Sequence, residues 1–298
     1  MLSGMATPSV KPKPFLKWAG GKSRLSSIIK SYFPSDKEFN KYYEPFLGSG
    51  AVYFEISPQK GQLNDLNKFL IGAYTDIRDS VEPLIAELNK IDREYHSLQT
   101  LEKKAKYYYE KREEYNADEI LCIRKSALFI FLNKAGFNGM YRENSSGKYN
   151  IPFGKHDKCL ICDKNNLRAV SRDLKEIVLT ALDYKDAVKS AKKGDLIYFD
   201  PPYFPVSETA SFTTYQKGGF NDDEQAKLCD IAKELVERGC FVAISNSDCP
   251  KSRALYKNMN ISEIKVRRII NSNSRKRGEV TEILATSYPP KRRPANAS

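Results

Sequence analysis

The chain has 298 residues, 41% of them apolar, enough for one large domain or two modest ones with real cores. Its longest apolar run, residues 127–132, is far shorter than the ~18 residues of a membrane span. The start "MLSGMATPSVKPKP" lacks an apolar h-region, so the six cysteines are expected as reduced thiols in a cytoplasmic protein.

A formal charge of +12 favours a polyanionic partner, although basic solvated surfaces without that role are common. In chain order, "KWAGGKS" comes first and invites a P-loop reading. Walker A needs a glycine five residues before Gly-Lys-Ser, that position is Leu16, and no good strand precedes it, so the reading fails. Gly20 and Gly21 then read as a helix-entry turn with Lys22 and Arg24 solvated, or with Lys22 as counter-charge for a carboxylate or phosphate. Residues 42–74 read as strand, glycine loop, helix and second strand. Glu44 in "YYEPFLGSGAVYFEI" ends the first strand, and Gly48 and Gly50 let the backbone approach a ligand closely. Asp65 in "QLNDLN" lies roughly 20 residues after the first strand, where a carboxylate can hold ribose hydroxyls. A bare G-x-G is more often an ordinary turn.

Residues 75–167 are long, charged and helical, as in "VEPLIAELNKIDREY" and "LEKKAKYYYEKREEY", and close with "AGFNGMYRENSSGKYNIPFG". In "HDKCLIC", His156, Cys159 and Cys162 have metal-like spacing. A structural zinc site wants four ligands, and Cys122, Cys229, Cys240 and Cys249 form no second pair, so no metal is expected. The two histidines, His96 and His156, sit in no dyad or triad context. From residue 169 strands and helices alternate again: "DLIYFDPPY", a helix over 222–238 with Asn221 as N-cap and Glu224 completing a capping box, "FVAISNSD", "ISEIKVRRII" and "EVTEILATS". Strand–helix alternation on both sides of a helical insert predicts a doubly wound α/β domain interrupted by a second module. In "KVRRIINSNSRKRG" Lys265, Arg267, Arg268, Arg275, Lys276 and Arg277 cluster without one acidic residue in the segment, which fits phosphate contacts, and "PPKRRPANAS" reads as a disordered basic tail.

Asp-Pro-Pro-Tyr, residues 200–203, carries the sharpest chemistry. Leu196 to Phe199 read as a short buried strand that ends in Asp200. The bland account has Asp200 capping the next element and Tyr203 packing. An exocyclic amine on adenine or cytosine, however, is a poor nucleophile because its lone pair is delocalised into the ring. A carboxylate and a backbone carbonyl accepting its two N–H groups localise that lone pair, and Pro201 and Pro202 have no N–H to compete. Tyr203 can stack on an extruded base, and the Gly48–Gly50 loop should then hold the methyl donor, S-adenosylmethionine.

With "FLKWAGGKS", "YYEPFLGSGAV", "LNDLN", "FNGMYRENSSGKYNIPFG", "DPPYF", "SFTTYQKGGF" and "RRIINSNSRKRGEVTEIL" in that order, the sequence resembles the Dam-like DNA adenine N6-methyltransferases of the alpha group over nearly its whole length. The resemblance implies a Rossmann-like doubly wound methyltransferase sheet interrupted by a mostly helical DNA-recognition insert with a β-hairpin. It makes residues 1–74 and 168–298 the two parts of the catalytic domain and 75–167 the target-recognition domain. It implies S-adenosylmethionine contacts from Trp18, Lys22, Asp65 and Asp200, with Glu44, Phe46 and Gly48 in the pocket wall, and catalysis by Asp200, Pro201, Pro202 and Tyr203. It places a hairpin at 137–154 in the major groove, with Arg142 reading guanine and Phe137, Asn138, Met140 and Pro152 on other recognition positions. Met140 replaces a usual leucine, and His156 stands where the Dam enzymes carry a tyrosine contacting the DNA.

The reading that results is direct methyl transfer from the sulfonium to adenine N6 in double-stranded DNA, with GATC as the favoured target. "SFTTYQKGGF" closes over the flipped base on a Gly218–Gly219 hinge, or is a plain surface loop. Arg267, Arg275, Lys276 and Arg277 position phosphates. A monomer associated with the nucleoid is expected, with no membrane partner, and a restriction endonuclease acting on the same site is the candidate functional partner. N4-cytosine and RNA adenine methylation use the same amine chemistry and stay open, while a DNA-binding module without catalysis would leave Glu44, Asp65 and Asp200 without a role. C5-cytosine methylation needs a Pro-Cys nucleophile, and "DCPK" at Cys249 has the order reversed.

Overall fold

A computed structural model describes residues 10–205, 220–267 and 279–290. The expected closing segment "SFTTYQKGGF" except Phe220, the positions Arg268, Arg275, Lys276 and Arg277, the side chain of Arg267 and most of the basic tail lie outside the described residues. The fold is mixed α/β, and the chain divides into two compact units: residues 1–23, 48–57 and 67–181 in the first, and 24–47, 58–66 and 182–298 in the second. Among the described residues no helix is long and apolar enough to cross a membrane.

The second unit is built on a sheet. Its strands β1 (Tyr42–Glu44), β2 (Gly61–Asn64), β4 (Leu196–Phe199), β5 (Phe241–Ser247), β6 (Asn260–Arg267) and β7 (Glu279–Thr286) run in the order β2-β1-β4-β5-β7-β6. The first four are mutually parallel, and β7 is antiparallel to both β5 and β6. Every residue of β1, β2 and β4 is buried, as expected for parallel strands covered on both faces. Around the sheet lie α1 (Ser26–Ser31), α8 (Tyr184–Ala187), α9 (Asp222–Glu237) and α10 (Pro250–Leu255). Helix α9 starts where the sequence predicts: Asn221 Oδ1 accepts from the Glu224 amide at 3.0 Å. The Glu224 carboxylate accepts from Tyr184 Oη at 3.3 Å and Lys227 Nζ at 2.7 Å. Its buried stripe, Leu228, Ala232 and Leu235, has helical spacing and packs with Ile197, Phe199, Val242 and Ile244 in one core.

The first unit is mostly helical: α2 (Ala51–Ile56), α3 (Lys68–Asp79), α4 (Val81–Ser97), α5 (Leu101–Asn116), α6 (Ile123–Ala135), α7 (Lys164–Asp173) and a short strand, β3 (Ile177–Thr180). Helix α3 runs through residues 74 and 75. Helix α6 is buried almost all round, including Leu128 to Leu132, and packs against α3, α4 and α5. Its first turn carries buried Lys125, whose ammonium donates to the carbonyls of Tyr115 in the last turn of α5 and Asp118 just beyond it, and lies 4.2 Å from the Tyr115 ring centre. Asn67, Thr100 and Asp163 cap α3, α5 and α7 with side-chain oxygens.

The loop entering α2 needs its glycines. Gly48 has φ +50° and Gly50 φ +67°, and a Cβ on Gly48 would stand 2.8 Å from Trp18 Cδ1. After α6, residues 136–154 fold back on themselves. Phe137 N donates to Pro152 O at 2.9 Å, Asn150 N to Arg142 O at 3.0 Å and Asn144 N to Lys148 O at 2.9 Å. The expected hairpin is therefore an antiparallel excursion joined by isolated bridges, Gly136–Phe153 and Glu143–Tyr149, rather than by a continuous ladder. Asn138 at φ +54° and Gly139 at φ +61° turn the chain away from strand geometry.

Two outcomes follow from this packing. Gly48→Ala should cost about 1–2 kcal/mol from the left-handed backbone alone and displace the indole. It should lower Tm by a few degrees and shift the emission of Trp18, the chain's one tryptophan. Wild-type emission would show that the loop does not press on the ring. The second outcome concerns the tyrosines of the first unit. Burial holds the Tyr149 hydroxyl up at about 12 and pushes Tyr95, Tyr107, Tyr108, Tyr115 and Tyr141 above the ordinary tyrosine value. In the unfolded chain they ionise near ~10, so their contribution to stability is complete below that pH and is lost as pH rises through the folded values. Absorbance at the phenolate band should show them titrating only together with cooperative alkaline unfolding, and a smooth titration near the ordinary value in folded protein would contradict it.

Candidate active site

Three neighbouring parallel strands of the second unit end in carboxylates at the same edge. Glu44 is the last residue of β1, Asp65 follows Asn64 at the end of β2, and Asp200 follows Phe199 at the end of β4. Strand β1 lies between the other two, where the strand order reverses, which is where open α/β sheets bind ligands. Glu44 is buried and accepts from Tyr42 Oη at 2.8 Å, while Asp65 and Asp200 are half-buried. Burial and the neighbouring carboxylates, Glu44 for Tyr42 and Asp200 for Tyr198, hold both hydroxyls well above the usual tyrosine value. Both therefore stay neutral around the acidic edge.

The turn after β4 is secured by side chains from elsewhere in the unit. Gln225 on α9 donates through Nε2 to Pro202 O at 2.7 Å. Asn246 on β5 accepts from Phe204 N at 3.1 Å through Oδ1 and donates to Gln225 Oε1 at 3.1 Å through Nδ2. Ser247 donates to Phe204 O at 2.7 Å. Gln225, Asn246 and Ser247 are all buried, so these bonds are made where water does not compete. Tyr203, half-buried, donates its hydroxyl to Glu282 Oε2 on β7 at 2.9 Å.

Beside the β1 end lies a cleft of about 350 Å³ lined by Pro45, Phe46, Leu66, Leu182, Asp183, Tyr184, Lys185, Phe220, Asn221 and Glu224. Phe46 stacks on Tyr184 with ring centres 5.2 Å apart and meets Phe220 edge-on at 5.6 Å. Buried Asn64 organises this rim: its amide donates to Pro45 O at 3.1 Å and Leu182 O at 2.9 Å and accepts from Leu182 N at 2.9 Å. The cleft thus offers ring faces beside acceptor carboxylates, a setting for an aromatic heterocycle with polar substituents.

In the first unit Gly48 packs against Trp18, and Lys22 lies one short turn further along the chain. Trp18 stacks on Tyr141 at 5.6 Å and 16°. Lys22 is 6% exposed and donates to Gly20 O at 2.9 Å, so the reading of Lys22 as a solvated residue is corrected. On the 136–154 excursion Phe137, Asn138, Arg142 and Pro152 are exposed and Met140 half-buried. Arg142 Nε donates to Asn150 Oδ1 at 2.8 Å. Burial pushes the thiols of Cys159 and Cys162 up to about 11, leaving them neutral at physiological pH. Among the described residues no group of three or more His, Cys, Asp or Glu is placed to hold a metal ion.

The sequence reading named Glu44, Phe46, Asp65, Asp200 and Tyr203, all in the second unit, and did not name Asn64, Tyr184, Gln225, Asn246 and Glu282, which the structure sets around them. Tyr184 had one available signal: it follows a short β-branched run, "IVLT", that is strand β3. The others act across many residues of chain and carry no local mark.

The family model of the D12 class N6 adenine-specific DNA methyltransferases matches residues 18–270. The type II methyltransferase M1.LlaDCHI of Lactococcus lactis subsp. cremoris is 37% identical over 281 residues, 93% of this chain and 95% of that protein. The type II methyltransferase M.MjaIII of Methanocaldococcus jannaschii is 38% identical over 287 residues, 93% of this chain and 99% of its own length. The DNA adenine methylase of Escherichia coli K12 is 35% identical over 279 residues, 94% of this chain and 96% of its own. With the match spanning both the acidic strand ends and the Asp-Pro-Pro-Tyr turn, the chain belongs to the D12 class of N6 adenine-specific DNA methyltransferases and is an enzyme of that family.

Proposed function

We propose that the enzyme methylates N6 of an adenine flipped out of double-stranded DNA, within GATC, using S-adenosylmethionine as methyl donor. The observation that carries the reading is Asp200, held at the end of a fully buried parallel strand and followed by a turn whose backbone and ring are both fastened from outside.

The second unit's residues fit the donor. An adenosyl group brings a flat heterocycle and two vicinal hydroxyls, which suit the Phe46, Tyr184 and Phe220 rings and the carboxylate of Asp65, next to the cleft-lining Leu66. For Trp18, Lys22 and Gly48 the donor-binding role rests on the sequence resemblance. When bound, S-adenosylmethionine supplies an electrophilic methyl group on a sulfonium sulfur, whose S–C bond breaks as the N6–C bond forms. Asp200 and the Pro201 carbonyl accept the two N–H groups of the amine and localise its lone pair. Pro201 and Pro202 add no competing donor. The Tyr203 ring stacks on the extruded base, and the Asp200 carboxylate is also an acceptor for the proton that N6 must shed.

Residues 75–167 serve in this reading as the target-recognition domain. Arg142, oriented through its bond to Asn150, reads guanine with its terminal nitrogens, and Phe137, Asn138, Met140 and Pro152 complete the reading surface. Arg267, Arg275, Lys276 and Arg277 contact phosphates. The type II relatives support a restriction endonuclease of the same specificity as functional partner, and the enzyme works as a monomer.

Asp200→Ala should abolish methyl transfer while DNA affinity stays within about twofold, since a phosphate-dominated interface is left intact. Retained activity would remove Asp200 from the chemistry. Mapping the modified base after incubation with unmethylated genomic DNA and S-adenosylmethionine should find N6-methyladenine confined to GATC. The same base in another motif would overturn the reading of residues 137–154 while keeping Asp200 and Tyr203.

A further inference from the structure

The Asp-Pro-Pro-Tyr turn poses a mechanical problem. Its two prolines fix φ at residues 201 and 202, and Gln225, Asn246 and Ser247 hold the backbone of residues 202 and 204. The Tyr203 side chain still has its own torsions, and the base can meet the ring face only if those torsions are set before it arrives. An aromatic ring turns about the Cβ–Cγ bond in a broad, shallow well. Pinning its far end at the hydroxyl determines where the ring centre lies and limits the remaining motion to rotation about one axis.

Glu282 occupies the position from which that pin acts. It lies on β7, paired to Ser247 of β5 on one side and Ile264 of β6 on the other, so its backbone belongs to the body of the sheet. Its neighbours Ile283, Leu284 and Ala285 are buried. The 2.9 Å bond from Tyr203 Oη to Glu282 Oε2 therefore ties the ring to a strand in the body of the sheet. The partner is also an ionisable carboxyl, and a hydroxyl donating to a carboxylate makes a stronger, charge-assisted bond than one donating to a neutral acceptor. Burial first, then Asp200, Tyr198 and Glu282, hold the Tyr203 hydroxyl well above its usual value, so the donor proton stays in place at working pH. Negative charge at the hydroxyl end also enriches the ring face, which favours the positive charge that gathers on the amine as it is alkylated.

We infer that Glu282, outside the Asp-Pro-Pro-Tyr motif and on a different strand, is a positioning residue for the methyl transfer, acting through the Tyr203 hydroxyl to set the ring against the target base. The inference rests on the proposed function and deepens it. It assigns to β7, otherwise an edge-hairpin strand of the sheet, a direct part in the geometry of the reacting base.

The test is a double-mutant cycle on the single-turnover methylation rate, which avoids limits set by product release. Glu282→Ala should lower that rate roughly tenfold, the scale of a hydrogen bond to a charged group, with KM for DNA within about twofold of wild type. Glu282→Gln, which keeps an acceptor oxygen, should recover most of the loss. In a Tyr203→Phe background, where no hydroxyl is left to hold, Glu282→Ala should add no further loss. Multiplying losses in the double variant, or a wild-type rate for Glu282→Ala, would overturn the inference. Should Glu282→Ala not fold, Tyr203→Phe reads the same bond from the other end: a roughly tenfold drop with DNA binding intact supports it, and a wild-type rate overturns it. An inactive Asp200→Ala alongside a fully active Glu282→Ala removes only the positioning role, whereas an active Asp200→Ala removes the proposed function itself.

Discussion

A turn that begins with two consecutive prolines has given up two backbone donors, and the site depends on what holds it instead. In this enzyme the answer is a set of buried amides and hydroxyls. Gln225 catches the Pro202 carbonyl, Asn246 catches the Phe204 amide and Gln225 together, and Ser247 closes on the Phe204 carbonyl. Each of these side chains would be expensive to bury alone. Joined to one another and to the turn they satisfy their own requirements, and the backbone of the motif inherits the rigidity of α9 and β5.

The same logic explains why the acidic residues sit where they do. Strands β1, β2 and β4 are buried on both faces, so their interiors can carry only apolar groups or satisfied ones such as Tyr42 and Tyr198. Charge can appear only at the strand ends, and in a parallel array all such ends face one edge. Asn64 then fixes the spacing of the loops at that edge, because one buried amide reads both the Pro45 loop after β1 and the Leu182 loop. A leucine there would take this partner from three backbone groups, and the buried Pro45 carbonyl alone would lose roughly 1–3 kcal/mol.

What could be read from sequence divides along a physical line. Features set by neighbours in the chain were legible: β4 spans Leu196–Phe199 as its apolar run predicts, α9 begins after Asn221, and the strand-end carboxylates at Glu44, Asp65 and Asp200 stand where the pattern puts them. Features set by distant partners were not. Gln225 reads as one polar residue in an amphipathic helix, and Glu282 as one charge in an alternating strand. Asn64 reads as a turn residue before Asp65. The excursion at 136–154 shows the intermediate case. Its glycines and asparagines are visible locally and the hairpin only through the family resemblance, and Asn138 and Gly139 at positive φ interrupt the ladder that a continuous hairpin would have.

That excursion is built on the principle that secures the motif turn, with tyrosines and amides in place of Gln225 and Asn246. Tyr108 Oη donates to Ile151 O at 3.0 Å, Asn133 Nδ2 to Gly139 O at 2.9 Å, and Asn116 both donates to Tyr149 O and accepts from Tyr149 N. Tyr108, Asn133 and Tyr149 are buried, so the path of the backbone is decided inside the unit. The side chains of Phe137, Asn138, Arg142 and Pro152 are left at the surface, where Arg142 Nε holds Asn150 Oδ1. Surface positions freed from the fold in this way can change identity without unfolding the protein. In both units the candidate site residues ride on backbone that remote, buried polar groups hold in place. A precise site needs that arrangement wherever the local backbone cannot satisfy itself.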